Sequence, residues 1–300
     1  MRISTNMIFD QSMSAMQRQS AALLYIGQQI ATGRKILTPA DDPVASARAL
    51  DVTQSRSVNA QFTTNQGAAQ DALRLVEGQL TGAGDILQYM RVRALEAGNA
   101  SLSDSEVQFI AADLRTQFDA MLALANTRDA NGDYLFAGYR SADRPFNGTV
   151  DGGITYAGDQ GSRTMQVSSS RFMPTSFAGE DVFGDSGNSM FDTLATFIQA
   201  LEGPEAGRAA AITAAVEGID EGLDNVLRVR AQIGSQLLEV DQLVSIGGDL
   251  DVQYADTLSR LQDLDYNEAI SRLTQQQTNL QAAQQSFMKI TGLSLFNYLS

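Results

Sequence analysis

The sequence predicts a mainly α protein: an elongated rod of long antiparallel helices with coiled-coil termini, into which one small β-rich module is inserted. Three observations predict it. Apolar residues recur every seven positions at both ends of the 300-residue chain. The stretches next to these ends read as long amphipathic helices. At Asp129 the composition changes to Gly, Ser, Asp and aromatics, and a helical pattern returns only at Ser189.

At the C-terminal end, Tyr266, Leu273, Leu280 and Phe287 are spaced by sevens, and Ala269, Ala283 and Ile290 fill most of the intervening positions. This is one face of a helix wound for a partner helix. Asp265 with Glu268 three residues on reads as a capping box. From there to Thr291 the helix would run about 40 Å. Its other face is amide, with six glutamines between Gln275 and Gln285. At the N-terminal end, Met7–Thr32 repeats the pattern: Phe9, Met16, Leu23 and Ile30 by sevens, with Met13 and Ile26 broadening the stripe. Gly33 is placed as a C-cap. Two unpaired stripes of matching length and period are the simplest partners for each other.

The link Ile36–Pro43 holds Pro39, Asp41, Asp42 and Pro43. Proline cannot continue a helix but suits its first position, and aspartate caps it, so Asp42-Pro43 opens the next helix. Neighbouring aspartates without other converging ligands serve that start and not a metal. Val44–Gly98 follows as a long helix through Val52, Val58, Phe62, Ala69, Leu73, Val76, Leu80, Leu87, Met90 and Ala94, with Gly78, Gly82 and Gly84 as possible kinks. Ser103 and Glu106 form a second capping box, opening a helix through Val107, Ile110, Leu114, Phe118, Met121 and Ala125.

In the module, Tyr134–Tyr139, Ile154–Tyr156 and Arg163–Val167 are strand candidates, punctuated by turn signals at Asn131-Gly132 and Asp151-Gly152. Helix resumes with Met190, Phe191, Leu194, Phe197, Ile198 and Leu201, breaks at Gly203-Pro204, and resumes from Glu205 to Gly247. A break is expected at Gly247-Gly248-Asp249, then a further helix over Asp251–Asp263. The organisation is nested: terminal helices enclose longer rods, which enclose the module.

Composition excludes several function classes. With no cysteine and no histidine there is no disulfide, no thiol nucleophile, no serine triad and no histidine metal site. The net charge of −14 leaves no basic surface for phosphates. No run approaches transmembrane length, and the N-terminus lacks the apolar core of a signal peptide. The chain is therefore expected to be cytoplasmic or to leave the cell without a cleavable signal. Asp104, Glu106, Asp113 and Asp119 suit a wet helix face. Tyr134, Phe136 and Tyr139 suit the packing of the module on the rod. Asp129–Asp133 lacks the distal ligands of a calcium loop. No catalytic, cofactor-binding or metal residues are expected.

The particular residues carry a resemblance. Met1-Arg-Ile-Ser-Thr5, Thr32-Gly-Arg-Lys-Ile36 followed by Pro39-Ala-Asp-Asp-Pro43, Asp129-Ala-Asn-Gly132 running into Tyr134-Leu-Phe-Ala-Gly138, Asp265-Tyr266 with Glu268-Ala-Ile270, and the ending Ile290–Leu299 occur together. In this combination the chain resembles the bacterial flagellin superfamily and, more closely, the family of flagellar hook-associated protein 3, the hook–filament junction proteins. The likeness covers roughly residues 1–140 and 190–300.

The resemblance implies a flagellin-like rod in three layers: 1–36 and 265–300 as an inner-tube domain, 37–135 and 188–264 as a helical rod domain, and 136–187 as a β-rich outer domain. It implies a non-enzymatic structural role in the extracellular flagellum, with flagellin proper as the alternative. The implied partners are hook-associated protein 1, flagellin, further copies of the chain in a ring, and a cytoplasmic chaperone for type III flagellar export. Neither nucleic acid nor membrane insertion is implied. The expected assembly residues are Phe9, Met16, Leu23, Ile30, Tyr266, Leu273, Leu280, Phe287 and Ile290, with Pro39, Asp41, Asp42 and Pro43 as the helix-start link.

Overall fold

The computed structural model describes residues 5–184 and 189–299, with side chains at 7, 9–184 and 189–289. Seven helices and four short strands are described: α1 Thr5–Thr32, α2 Pro43–Ala97, α3 Asp104–Ala125, β1 Phe146–Thr149, β2 Gly153–Tyr156, β3 Thr164–Gln166, β4 Phe172–Pro174, α4 Gly179–Phe183, α5 Met190–Glu202, α6 Arg208–Gln262 and α7 Tyr266–Leu299. The chain is mainly helical with a small β-rich insertion, as the sequence predicts. Contacts divide it into two compact units, 1–58 with 249–300, and 59–248. Both long helices, α2 and α6, contribute to each.

In the unit 59–248, α2 buries two interleaved seven-residue series: Leu73, Leu80, Leu87 and Ala94, and Ala69, Val76, Ala83, Met90 and Ala97. α6 answers with Ile219, Val226, Ile233 and Val240. Each such side chain contributes about 1.5–3 kcal/mol by leaving water, less for the alanines. α3 and α5 each open on a capping box, Ser103 with Glu106 and Ser189 with Asp192, which satisfies orphan backbone N–H groups at both starts. α6 is continuous where a break was expected. Gly247 and Gly248 each cost about 1 kcal/mol of helix propensity. The buried Asn59 amide donates to the Gly247 carbonyl at 2.8 Å, and buried Val240 lies one heptad away, so tertiary contacts outweigh that cost.

The module holds two antiparallel hairpins, β1–β2 and β3–β4. Tyr134–Tyr139 is not a strand. Tyr134, Leu135, Phe136 and Ala137 are all buried, without the alternation of a half-exposed strand, and only isolated bridges tie Tyr134 to Arg128 and Ala137 to Ala178. Gly138 at φ 68° then turns the chain. The sequence reading also missed β1 and β4, whose three or four residues are too short to show a period. Phe136, Phe146, Phe183, Phe191 and Phe118 form a continuous aromatic cluster joining module to helices, with ring centroids 5.2–5.7 Å apart. Asp113 is partly exposed on the expected wet face but is not a free carboxylate. Its carboxylate accepts from Tyr89 Oη and Arg93 Nε, both at 2.7 Å, and so ties α3 to α2.

Tyr156 secures the module from inside. Its hydroxyl lies 3.0 Å from the carbonyl oxygens of Phe136 and Asp159 and accepts from the Gly179 N–H at 3.0 Å. Burial pushes its pKa up to about 12. The folded state therefore holds a proton that the unfolded chain releases near pH 10. Stability contributed by this group is full below pH 10 and falls as pH rises towards 12. Alkaline unfolding followed by circular dichroism should show this slope, and Tyr156→Phe should remove it.

Candidate assembly interface

The candidate site is the unit formed by 1–58 and 249–300, where α1 packs along α7. The polypeptide links at its end determine how these helices start. Gly33 ends α1 at φ 70°, a left-handed conformation that favours glycine. Its carbonyl accepts the N–H of Leu264 at 2.9 Å, and the Lys35 N–H donates to the Gln262 carbonyl at 2.8 Å. The α1–α2 link is thereby zipped antiparallel to the α6–α7 link. Gln29, buried on α1, donates to the Lys35 carbonyl at 2.6 Å. Gly33→Ala should cost about 1–2 kcal/mol from backbone strain, lowering the midpoint of thermal unfolding. A β-carbon there would also sit 2.9 Å from the Tyr266 hydroxyl.

Of the link residues, Asp42 and Pro43 act as the helix start, whereas Asp41, expected to do the same, closes the link back on itself. Asp42 Oδ1 accepts the Ala45 N–H at 2.9 Å, with Pro43 as the first residue of α2. Asp41 Oδ2 accepts the N–H groups of Leu37 at 3.0 Å and Thr38 at 2.7 Å. The Thr38 N–H, supported by the Tyr25 hydroxyl, holds the Asp41 carboxyl below its usual range. Stability from this group is present above the unfolded carboxylate range and is lost on acidification through the folded value. Pro39 and Pro43 are exposed. At the start of α7, Asp265 Oδ1 accepts from the N–H groups of Asn267 and Glu268, at 2.9 and 3.2 Å. The Glu268 side chain pairs with Arg272, so the expected reciprocal half of the box is replaced by an ion pair.

Along the seam, the Phe9 and Phe287 rings meet at 5.2 Å between centroids. Met16, Leu23, Ile30, Leu273, Leu280 and Phe287 are all only half-buried. Phe9 and Tyr266 are exposed, and Tyr266 lies against the Gly33 turn. Ile290 falls outside the described side chains. Among the described residues of these helices, only Ile26 and Ala269 join Gln29 below a tenth exposure. Met7, Leu24, Ile270 and Met288 are more than half exposed. A pair of helices buries one stripe of each, and these apolar residues lie outside it. Sequence reasoning missed the roles of Gln29 and Tyr25; Gln29 falls three residues after Ile26 on the buried stripe, a signal that position alone could have supplied.

Among the described residues no group of three or more Asp or Glu side chains could hold a metal ion, and no helix is long and apolar enough to cross a membrane. In the other unit, the Asp129–Asp133 turn spends its oxygens internally: Asp129 Oδ1 accepts from the N–H groups of Asn131 and Asp133, and Asp133 pairs with Arg163 at 2.6 Å.

Long paired helices with half-covered apolar stripes define a structural assembly protein, and comparison with known proteins identifies its kind. Residues 3–141 match the family model for the bacterial flagellin N-terminal helical region. The chain is 35% identical to flagellar hook-associated protein 3 of Salmonella typhimurium and 34% identical to that of Escherichia coli, each alignment covering 99% of both proteins. The solved structure of flagellar hook-associated protein 3 from Legionella pneumophila shares the fold, with a TM-score of 0.63 at 20% identity over 70% of this chain and 98% of that one. The chain belongs to the flagellar hook-associated protein 3 family of the flagellin superfamily. It is a non-catalytic, extracellular structural component of the bacterial flagellum.

Proposed function

We propose that the chain forms a short ring at the hook–filament junction, seated on hook-associated protein 1 and carrying the flagellin filament. Residues 1–36 and 265–300 form its inner layer, 37–135 and 188–264 its rod layer, and 136–187 its outer domain. Phe9, Met16, Leu23, Ile30, Tyr266, Leu273, Leu280, Phe287 and Ile290 are the assembly residues of the inner layer. Pro39, Asp41, Asp42 and Pro43 are the helix-start link that follows it.

The observation that carries this reading is the half-covered seam of α1 and α7, with Leu24 and Ile270 exposed beside it. Such surface is covered when more helices are packed around it. The glutamines of α7 offer neighbours hydrogen bonds without like-charge repulsion, which matters on a chain of net charge −14. Export proceeds through the flagellar type III apparatus without a cleaved signal, a cytoplasmic chaperone shielding the C-terminal stripe until assembly. The absence of cysteine suits passage through compartments of different redox poise.

Immunogold labelling of intact flagella tests the reading. Label confined to one band between hook and filament is the expected result. Label along the whole filament would identify a filament subunit instead, and unlabelled flagella would end the proposal.

A further inference from the structure

The chain has no cysteine, so its ten methionines hold all of its sulfur, the side-chain element that peroxides oxidise most readily. These methionines are not shielded alike. In the unit 59–248, Met90, Met121, Met173 and Met190 lie in the core, and Met165 is half-buried. On α1, Met7 is 62% exposed, Met13 is 38% exposed and Met16 is half-buried. Met13 lies one turn from Phe9, whose ring meets Phe287 of α7, and Met16 follows one turn further on. Both therefore belong to the stripe that faces α7. Met7 lies on the opposite side of α1 from Met16, nine residues away. An oxidant reaching the free chain thus meets the sulfur of α1 before that of the core.

We propose that Met7, Met13 and Met16 are oxidation sites of the unassembled chain, and that their sulfoxides bar a copy from the ring. This rests on the junction reading above. With hydrogen peroxide the step is a two-electron oxygen transfer. The thioether sulfur attacks one peroxide oxygen, the S–O bond forms as the O–O bond breaks, and after proton transfer the second oxygen leaves as water. Sulfur is oxidised, peroxide is reduced, and no cofactor takes part. A flexible apolar side chain becomes a polar one that accepts hydrogen bonds.

Where the change matters follows from the surroundings. In the free chain, water satisfies the new oxygen at these partly exposed positions. The stripe that Met13 and Met16 share with Phe9 and Leu23, and the facing stripe of Leu280 and Phe287, offer it no side-chain donor. Once neighbouring copies exclude water, the sulfoxide oxygen is buried without a partner, which opposes assembly. The core methionines escape, so the unit 59–248 stays folded. Oxidation and assembly are then alternatives: a copy already in the ring has its α1 thioethers covered, and a copy already oxidised does not enter.

The purified full chain and purified flagella are treated with hydrogen peroxide under the same conditions and followed by peptide mass spectrometry. In the free chain, Met7 and Met13 should gain oxygen at least tenfold faster than Met90, Met121, Met173 and Met190, with circular dichroism unchanged. In flagella the same two should react at least tenfold more slowly than in the free chain. Equal rates in either comparison would overturn the inference. A second arm tests polarity in cells whose only copy carries Met7→Leu, Met13→Leu and Met16→Leu together, or Met7→Gln, Met13→Gln and Met16→Gln together, glutamine standing in for the sulfoxide. Immunoblots of purified flagella should find the leucine variant at the unsubstituted level and the glutamine variant at least tenfold lower. Normal incorporation of the glutamine variant, or loss of a folded leucine variant, would overturn the inference. Should either variant lose helix when purified, the protection measured in unsubstituted flagella decides alone. If the unsubstituted chain is itself missing from flagella, the junction reading fails and takes this one with it.

Discussion

Replacing Leu280 and Phe287 together by aspartate should abolish filament attachment and leave the unit 59–248 folded. Both residues lie half-buried on α7, and the Phe287 ring stands 5.2 Å from that of Phe9. In the free chain a carboxylate at either position can still turn towards water, because Leu280 and Phe287 are only half-buried. Once neighbouring copies close over the seam, the same carboxylates are stripped of water, at several kcal/mol for each ion. Two such ions exceed a thousandfold loss of affinity. Complementation of a motility defect and recovery of the protein from purified flagella measure attachment. Circular dichroism of the purified chain measures the fold. If the double variant lost helix throughout 59–248, these residues would belong to an ordinary core, and the assembly reading of the stripe would fail.

Phe191→Ala should be the most damaging single truncation in the unit 59–248. Phe191 is fully buried, and its ring meets Phe118 at 5.7 Å, Phe146 at 5.2 Å and Phe183 at 5.6 Å. It therefore joins α3, α5, β1 and α4 at one point. Loss of a buried phenyl ring costs about 3–5 kcal/mol in transfer and cavity terms. For a unit of this size that lowers the thermal midpoint by roughly 10 °C. Phe109→Ala is the control: the same chemistry at an exposed position should leave the midpoint nearly unchanged. A small shift for Phe191→Ala would mean that the module and helices are not stabilised by this cluster.

The links were legible to different depths. Gly33, Asp42 and Pro43 could be placed in advance because a C-cap glycine, an N-cap aspartate and a first-turn proline act on backbone within three residues. The antiparallel zipper between residues 33–35 and 262–264 could not, since its partners lie more than 220 positions apart and carry no covarying signal in one sequence. Asp41 shows the boundary. A cap at the start of α2 was expected of it, but its carboxylate instead accepts from the Leu37 and Thr38 N–H groups of the link, with support from the Tyr25 hydroxyl that depends on how α1 packs there.

By itself the sequence determined most of the long helices, the caps at Asp42 and Ser103 and the seven-residue stripes of α1 and α7. Those properties depend on local propensity and on residue types present or missing. The tertiary structure alone decided that α6 runs through Gly247-Gly248, that Tyr134–Ala137 is buried irregular chain, that the hairpins lie at 146–156 and 164–174, and that Asp113 braces α2. In each case contacts between residues distant in sequence outweigh local preferences of about 1 kcal/mol. The α1–α7 seam lies between these cases: its period is written in the chain, while its half-open state is set by how many helices surround it.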